Sequence, residues 1–134
     1  LQGNNHQTPF ILHHFDEIEK LLHRYIDHLF SQLDLDTIDE VKFDQHYENM
    51  SEITHQIGRI TTSLFTLLKE AKQLHLYRSS IKRIHEQQKT IDELSARLII
   101  HLRKITTPPN RSSLKLPPRI FFPENTSTVI NVLK

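Results

Sequence analysis

Apolar residues recur along most of this chain at alternating steps of three and four, the spacing that gathers them on one side of an α-helix. Ile11, Phe15, Ile18, Leu22, Tyr25 and Leu29 form one such row, and Leu12, Leu21, Ile26, Phe30 and Leu33 widen it. A stripe broader than a two-in-seven seam touches more than one neighbour, so this segment reads as a bundle helix and not as an isolated coiled-coil strand. The stepping returns in Met50, Ile53, Ile57, Ile60, Leu64, Leu67, Ala71 and Leu74. It continues in Tyr77, Ile81, Ile84, Gln88, Ile91, Ser95, Leu98, Leu102 and Ile105. The two runs join through consecutive three-residue steps, Ala71 to Leu74 to Tyr77. A slip of that kind either overwinds one long helix or marks where two helices meet.

Capping and turn chemistry turn these rows into elements. Residues 1–8 are polar and expected to be flexible. Thr8-Pro9 is a favourable start, because Thr caps and Pro at the first helical position loses no needed N–H. The first helix is therefore predicted over Pro9–Leu33. Asp34–Phe43 reads as a connection, Asp44 as the cap of a second helix over Gln45–Leu76, and Ser79 or Ser80 as the cap of a third over Ile81–Ile105. The slip, the Ser pair and ordinary helix lengths favour a hairpin at Leu76–Ser80. The predicted fold is all-α, an elongated antiparallel three-helix bundle over residues 9–106, running up-down-up. The alternative is helix 1 plus one coiled-coil helix from Gln45 to Ile105, about 90 Å long at 1.5 Å per residue, which only a partner chain could bury. Gly58, in mid-helix beside Thr61, Thr62 and Ser63, is expected to mark the close approach of a neighbouring helix.

Thr107-Pro108-Pro109-Asn110 ends the helical part. Residues 107–134 contain Pro117, Pro118 and Pro123 and read as an extended tail, yet they are rich in apolar groups. Leu114, Leu116, Ile120, Phe121, Phe122, Val129, Ile130 and Val132 are the expected partner-binding residues, docking on the bundle itself or on a partner. Thr128–Leu133 has strand composition, and a strand there must pair with another segment.

Composition narrows the class. Apolar residues are 37% and charged residues 25% of 134, enough for one elongated helical core in one domain but not for a thick layered one. Gly occurs only at positions 3 and 58, and Pro only at position 9 and beyond position 107, so the middle is free of strong breakers. The chain has no Cys, which excludes a disulfide framework and a thiolate metal site. No secretory leader is legible and no apolar run is long enough to span a membrane. An intracellular location, cytoplasmic or nuclear, is expected. The net charge of +1 hides an asymmetry: residues 1–52 carry −8 and residues 53–134 carry +9. The simplest reading is an acidic helix beside a basic one; the sharper reading is two faces for two partners.

Most site chemistry finds no support. Ten His suggest a metal, but helical sites want His at i and i+4 or a Glu-x-x-His on each of two helices, and no two His here lie three or four apart. Glu52-Ile53-Thr54-His55 is a single match whose Glu and His fall off the apolar row. His101-Leu102-Arg103-Lys104 matches the His-x-x-Lys of phosphotransfer bundles, but the Gly that follows there is Ile105 here. His85-Glu86 lacks the second His of a zinc-protease helix, and no phosphate loop or nucleophile signature occurs. Neither catalysis, a metal nor another cofactor is expected. Asn49-Met50-Ser51, Asn110-Arg111-Ser112 and Asn125-Thr126-Ser127 match the glycosylation tripeptide by chance. Lys82, Arg83, Lys89, Arg103 and Lys104 are candidates for anion binding, which makes a basic nucleic-acid or acidic-membrane module the alternative function. Few aromatics interleave with them, and a solvated surface is the better reading. Neither nucleic acid nor a membrane surface is the expected partner.

Three long helices in this order resemble the N-terminal regulatory domains of syntaxins and the spectrin-like repeats, a likeness of helix number and length and not of motif. The resemblance implies a regulatory three-helix domain. The leading expectation is a non-enzymatic helical interaction or scaffold module, part of a larger assembly, that binds a protein partner or a second copy.

Overall fold

A computed structural model describes residues 2–70, 74–106 and 115–120. The chain is all-α, with three helices packed on one another: α1 (Gln2–Leu33), α2 (Glu40–Glu70) and α3 (Arg78–Ile105), the last entered through one 3₁₀ turn over Leu74–Tyr77. No strand occurs among the described residues. The short connection after α1 returns α2 antiparallel to it. α3 then runs parallel to α1: Tyr77 meets Thr8 and Phe15, Arg83 meets Glu19, and His101 meets Leu35. The slip marks the meeting of two helices and not one overwound coil, but earlier than expected: α2 ends at Glu70 and not at Leu76, and Arg78–Ser80, expected in the hairpin, already belong to α3.

The element that organises the bundle is α1. Its whole predicted row, Ile11, Phe15, Ile18, Leu22, Tyr25 and Leu29, is buried, and α2 and α3 both pack against it. That is the consequence of a wide stripe, which offers one flank to each neighbour. Two of the widening residues go the other way. Leu12 and Phe30 are 43% and 50% exposed; they are 18 residues apart, about five turns, and so share the flank that neither neighbour covers.

The seam of α2 departs from a strict heptad. Thr61, Phe65 and Leu68 are buried, whereas Ile60 and Leu67 are only half-buried. A straight helix has 3.6 residues per turn and drifts about 20° per heptad from a 3.5 repeat. From Met50 to Leu68 is about five turns, so these two face the same way and the row shifts by one residue between them. The same drift in α3 buries Leu94 and leaves Gln88 and Ser95 half-buried. Thr61 tolerates burial because its Oγ1 donates to the Ile57 carbonyl at 2.6 Å.

Several boundaries differ from those predicted. α1 begins at Gln2 and carries Pro9 inside it, instead of starting at Pro9. The missing Pro9 N–H removes one intrahelical bond, and the Tyr77 hydroxyl on Thr8 Oγ1 (3.3 Å) holds this turn to the start of α3. The cap of α2 is Asp39, not Asp44. Asp39 Oδ1 accepts from the N–H groups of Val41 (3.1 Å) and Lys42 (3.3 Å), and its carbonyl accepts from Phe43 N–H (2.9 Å). α3 begins at Arg78, with no capping bond from a Ser side chain; Ser80 is buried one turn in, its Oγ accepting from Arg83 at 3.3 Å. Gly58 does not mark a close approach either: a Cβ placed on it would meet nothing within 4 Å.

Candidate functional site

Tyr25 is the fifth of the six residues in the buried row of α1 and is 1% exposed. A buried phenol needs a partner for its hydroxyl, and here that partner comes from the far end of the chain: the Tyr25 hydroxyl donates to the Pro118 carbonyl. Burial, then the nearby Tyr47 and Asp92, push the Tyr25 pKa far above its ordinary value, so the hydroxyl keeps the proton it donates. Tyr47 and Asp44, both near the start of α2, hold the same segment a few residues earlier. The Lys115 ammonium sits 5.0 Å from the centre of the Tyr47 ring and 3.9 Å from Asp44 Oδ1. Ile120 is partly buried against the core. Residues 115–120 therefore lie along the bundle, read at three points: a cation, a backbone carbonyl and an apolar side chain.

The segment suits that use. Pro fixes φ near −65°, and a residue before Pro is pushed to extended geometry, so Leu116-Pro117-Pro118 has little freedom to lose on docking. Asp44 is free for Lys115 because Asp39 does the capping.

Of the expected partner-binding residues, Ile120 packs on the bundle, while Leu116 is 64% exposed. Leu114, Phe121, Phe122, Val129, Ile130 and Val132 lie outside the described residues, as does the strand-like stretch 128–133. Tyr25, Tyr47, Asp44 and Lys115 were not marked by periodicity, which assigns Tyr25 to the core and Asp44 to a cap; the one legible signal is a Lys two residues ahead of a Pro pair.

The basic candidates do not converge. Lys82, Arg83, Lys89, Arg103 and Lys104 are all exposed on α3, but Lys82 and Lys104 stand about 33 Å apart along the axis. Helical spacing places Glu86 and Glu93 among Lys82, Lys89 and Lys104, which breaks up any single-sign face. Arg83 is turned toward α1, its Nε 2.7 Å from Glu19 Oε1. This pair and Lys115–Asp44 join the basic half of the chain to the acidic half.

Folding also brings together two His that no spacing rule connects. His28 on α1 and His46 on α2 approach with 2.8 Å between their Nδ1 atoms and rings tilted by 70°. Burial, then His46 and Arg24, lower the His28 pKa below 6.5, against an opposing pull from Asp27. Of the other His, His55 bonds to the Ser51 carbonyl (2.8 Å) and His13 to Glu17 within one helical turn, whereas His101, through Nε2, meets the Leu35 carbonyl (2.8 Å) just beyond the far end of α1. Glu52 accepts from Gln56 at 3.2 Å on the exposed side of α2. No group of three or more His, Asp or Glu among the described residues could hold a metal ion, and no helix among them is long and apolar enough to cross a membrane.

An all-α bundle of three helices, with residues 115–120 lying along its side, is what the fold and these contacts define. Compared with known protein families, curated proteins and solved structures, the chain matches none of them.

Proposed function

We propose that this chain is a non-enzymatic helical interaction module, a subunit or domain of a larger assembly whose bundle is a platform for extended segments. The observation that carries the reading is the hold of α1 and α2 on residues 115–120: the Tyr25 hydroxyl on Pro118, and Asp44 and Tyr47 on Lys115. Aromatic-lined surfaces take up Pro-containing extended segments because the segment's backbone is already restricted before docking, and Tyr25 and Tyr47 supply such aromatics here. The widely spaced, mixed-sign outer face of α3 lends nothing comparable to a nucleic-acid or membrane reading.

The test removes Leu114–Lys134 and compares the two chains by light scattering and amide exchange. The expected result is a changed association state, or a loss of protection in α1 around Tyr25 and in the first turns of α2. A soluble monomer with unchanged protection in both places would show that the segment is dispensable and would remove the basis of the reading.

A further inference from the structure

We infer that the face formed by Tyr25, Tyr47 and Asp44 is a recognition site for a Lys-x-Pro-Pro segment, and that residues 115–118 fill it as an internal ligand which a partner's segment of the same chemistry replaces. This deepens the interaction-module reading and rests on it. Two features of the occupant, its cation and one carbonyl, have matching groups. The Lys115 ammonium is near both the face of the Tyr47 ring (5.0 Å) and the half-exposed Asp44 carboxylate (3.9 Å), so a π-face and an opposite charge both favour a cation there. Pro118 presents a carbonyl to the Tyr25 hydroxyl. A Pro-restricted chain turns its carbonyls outward, with no internal hydrogen bonds to satisfy them, so a buried phenol is a fitting donor. Leu116 is 64% exposed, so its side chain adds little and the second position is permissive.

None of these contacts requires that the ligand be joined to the bundle. The Tyr25–Pro118 bond spans 93 positions in sequence, and the groups on the bundle stand on α1 and α2, well separated from the segment they hold. What the covalent link supplies is concentration. A segment tethered by a short linker is present at an effective concentration on the order of millimolar. A free ligand of equal affinity therefore fills the site only when the tethered copy is weakened or the partner supplies its segment at a comparable local concentration. The tail then acts as a threshold for partner binding.

The probe is a fluorescein-labelled hexapeptide, Lys-Leu-Pro-Pro-Arg-Ile, titrated into the full chain and read by anisotropy. In the full chain carrying Lys115→Ala, Pro117→Ala and Pro118→Ala, the internal ligand is spoiled and the receptor face is intact, whichever charge stands at position 44. The peptide is expected to bind this chain more tightly than it binds the wild type, by about ten-fold for a Kd of about 0.1 mM against an effective concentration of about 1 mM. Adding Tyr25→Phe is expected to weaken that binding about five-fold, the loss of one neutral hydrogen bond. Adding Asp44→Lys instead is expected to reverse the preference, so that Glu-Leu-Pro-Pro-Arg-Ile binds better than the Lys peptide. Only a direct contact between Asp44 and the first position predicts that reversal, and circular dichroism confirms that each variant is folded. Absence of peptide binding to the spoiled-tail chain at millimolar concentration overturns the recognition site. It leaves the interaction-module reading standing if removal of residues 114–134 still changes association. Peptide binding that ignores both Tyr25→Phe and Asp44→Lys also overturns it, as does a wild-type dimer that exchanges tails, since the occupant is then a second copy.

Discussion

Replacing Gly58 by Ala should stabilise this protein. Gly58 stands inside α2, far from either end, where Gly costs about 0.8–1.0 kcal/mol relative to Ala. Two circumstances normally justify such a residue, a backbone in the left-handed region and a neighbour too close for a Cβ. Neither holds here: no glycine among the described residues has positive φ, and an added Cβ would find nothing within 4 Å. The Thr62 hydroxyl, which donates to the Gly58 carbonyl at 2.9 Å, bonds to backbone and is indifferent to the new methyl. The gain is then close to the full helix-propensity difference, about 1 kcal/mol, part of it from the reduced freedom of the unfolded chain. For a chain of this size that raises Tm by about 3–5 °C and moves the urea midpoint up with an unchanged slope. Thermal melts and urea titrations of the two proteins, followed by circular dichroism, measure it. A loss of more than about 0.5 kcal/mol would refute the reasoning, because it would mean that another surface lies against Gly58 in solution.

Three further outcomes follow from the packing and the charges. Leu22→Ala, at a fully buried position of the central helix, should cost about 2–5 kcal/mol in urea unfolding, whereas Leu12→Ala, on the uncovered flank, should stay within about 0.5 kcal/mol. His28 has a lowered pKa in the folded state, so folding favours its neutral form; the stability it contributes is present above pH 6.5 and is lost as pH falls below that value toward the folded pKa. Urea midpoints measured from pH 7.5 down to 5 should fall less steeply in His28→Gln than in the wild type. Arg83→Ala should cost less than about 1 kcal/mol despite the 2.7 Å contact with Glu19, since the Arg side chain is solvated and the pair is screened, and a cost that grows with added salt would contradict that assignment.

The helices were legible because the information that makes them is local. The row from Ile11 to Leu29 is a statement about spacing, and every member of it is buried. The slip at Ala71–Leu74–Tyr77 signalled a helical break although neither Gly nor Pro marks it, but the hairpin expected at Leu76–Ser80 lies too late in the chain, since Arg78–Ser80 already belong to α3. Errors arose where two local signals competed. Asp39 and Asp44 are both acceptable caps, and the choice fell to Asp39 because α2 starts at Glu40, drawing Phe43 into its buried face. Thr8-Pro9 looks like a start, but its signal is also compatible with a Pro early in a longer helix, and the Tyr77–Thr8 contact lies 69 positions away.

What this sequence determined unaided is its class: helix periodicity without interior breakers, and a stripe wide enough to demand two neighbours. It did not determine which flank meets which helix. That is why straight-helix drift, and not the heptad, decided the burial of Thr61 over Ile60. Nor did it reveal that Tyr25 and Pro118, or His28 and His46, are partners. Periodicity records how one segment presents its own faces, whereas a hydrogen bond between distant residues depends on where whole helices come to rest. That position is set by the packing of the full core, to which no single stretch of chain holds the key.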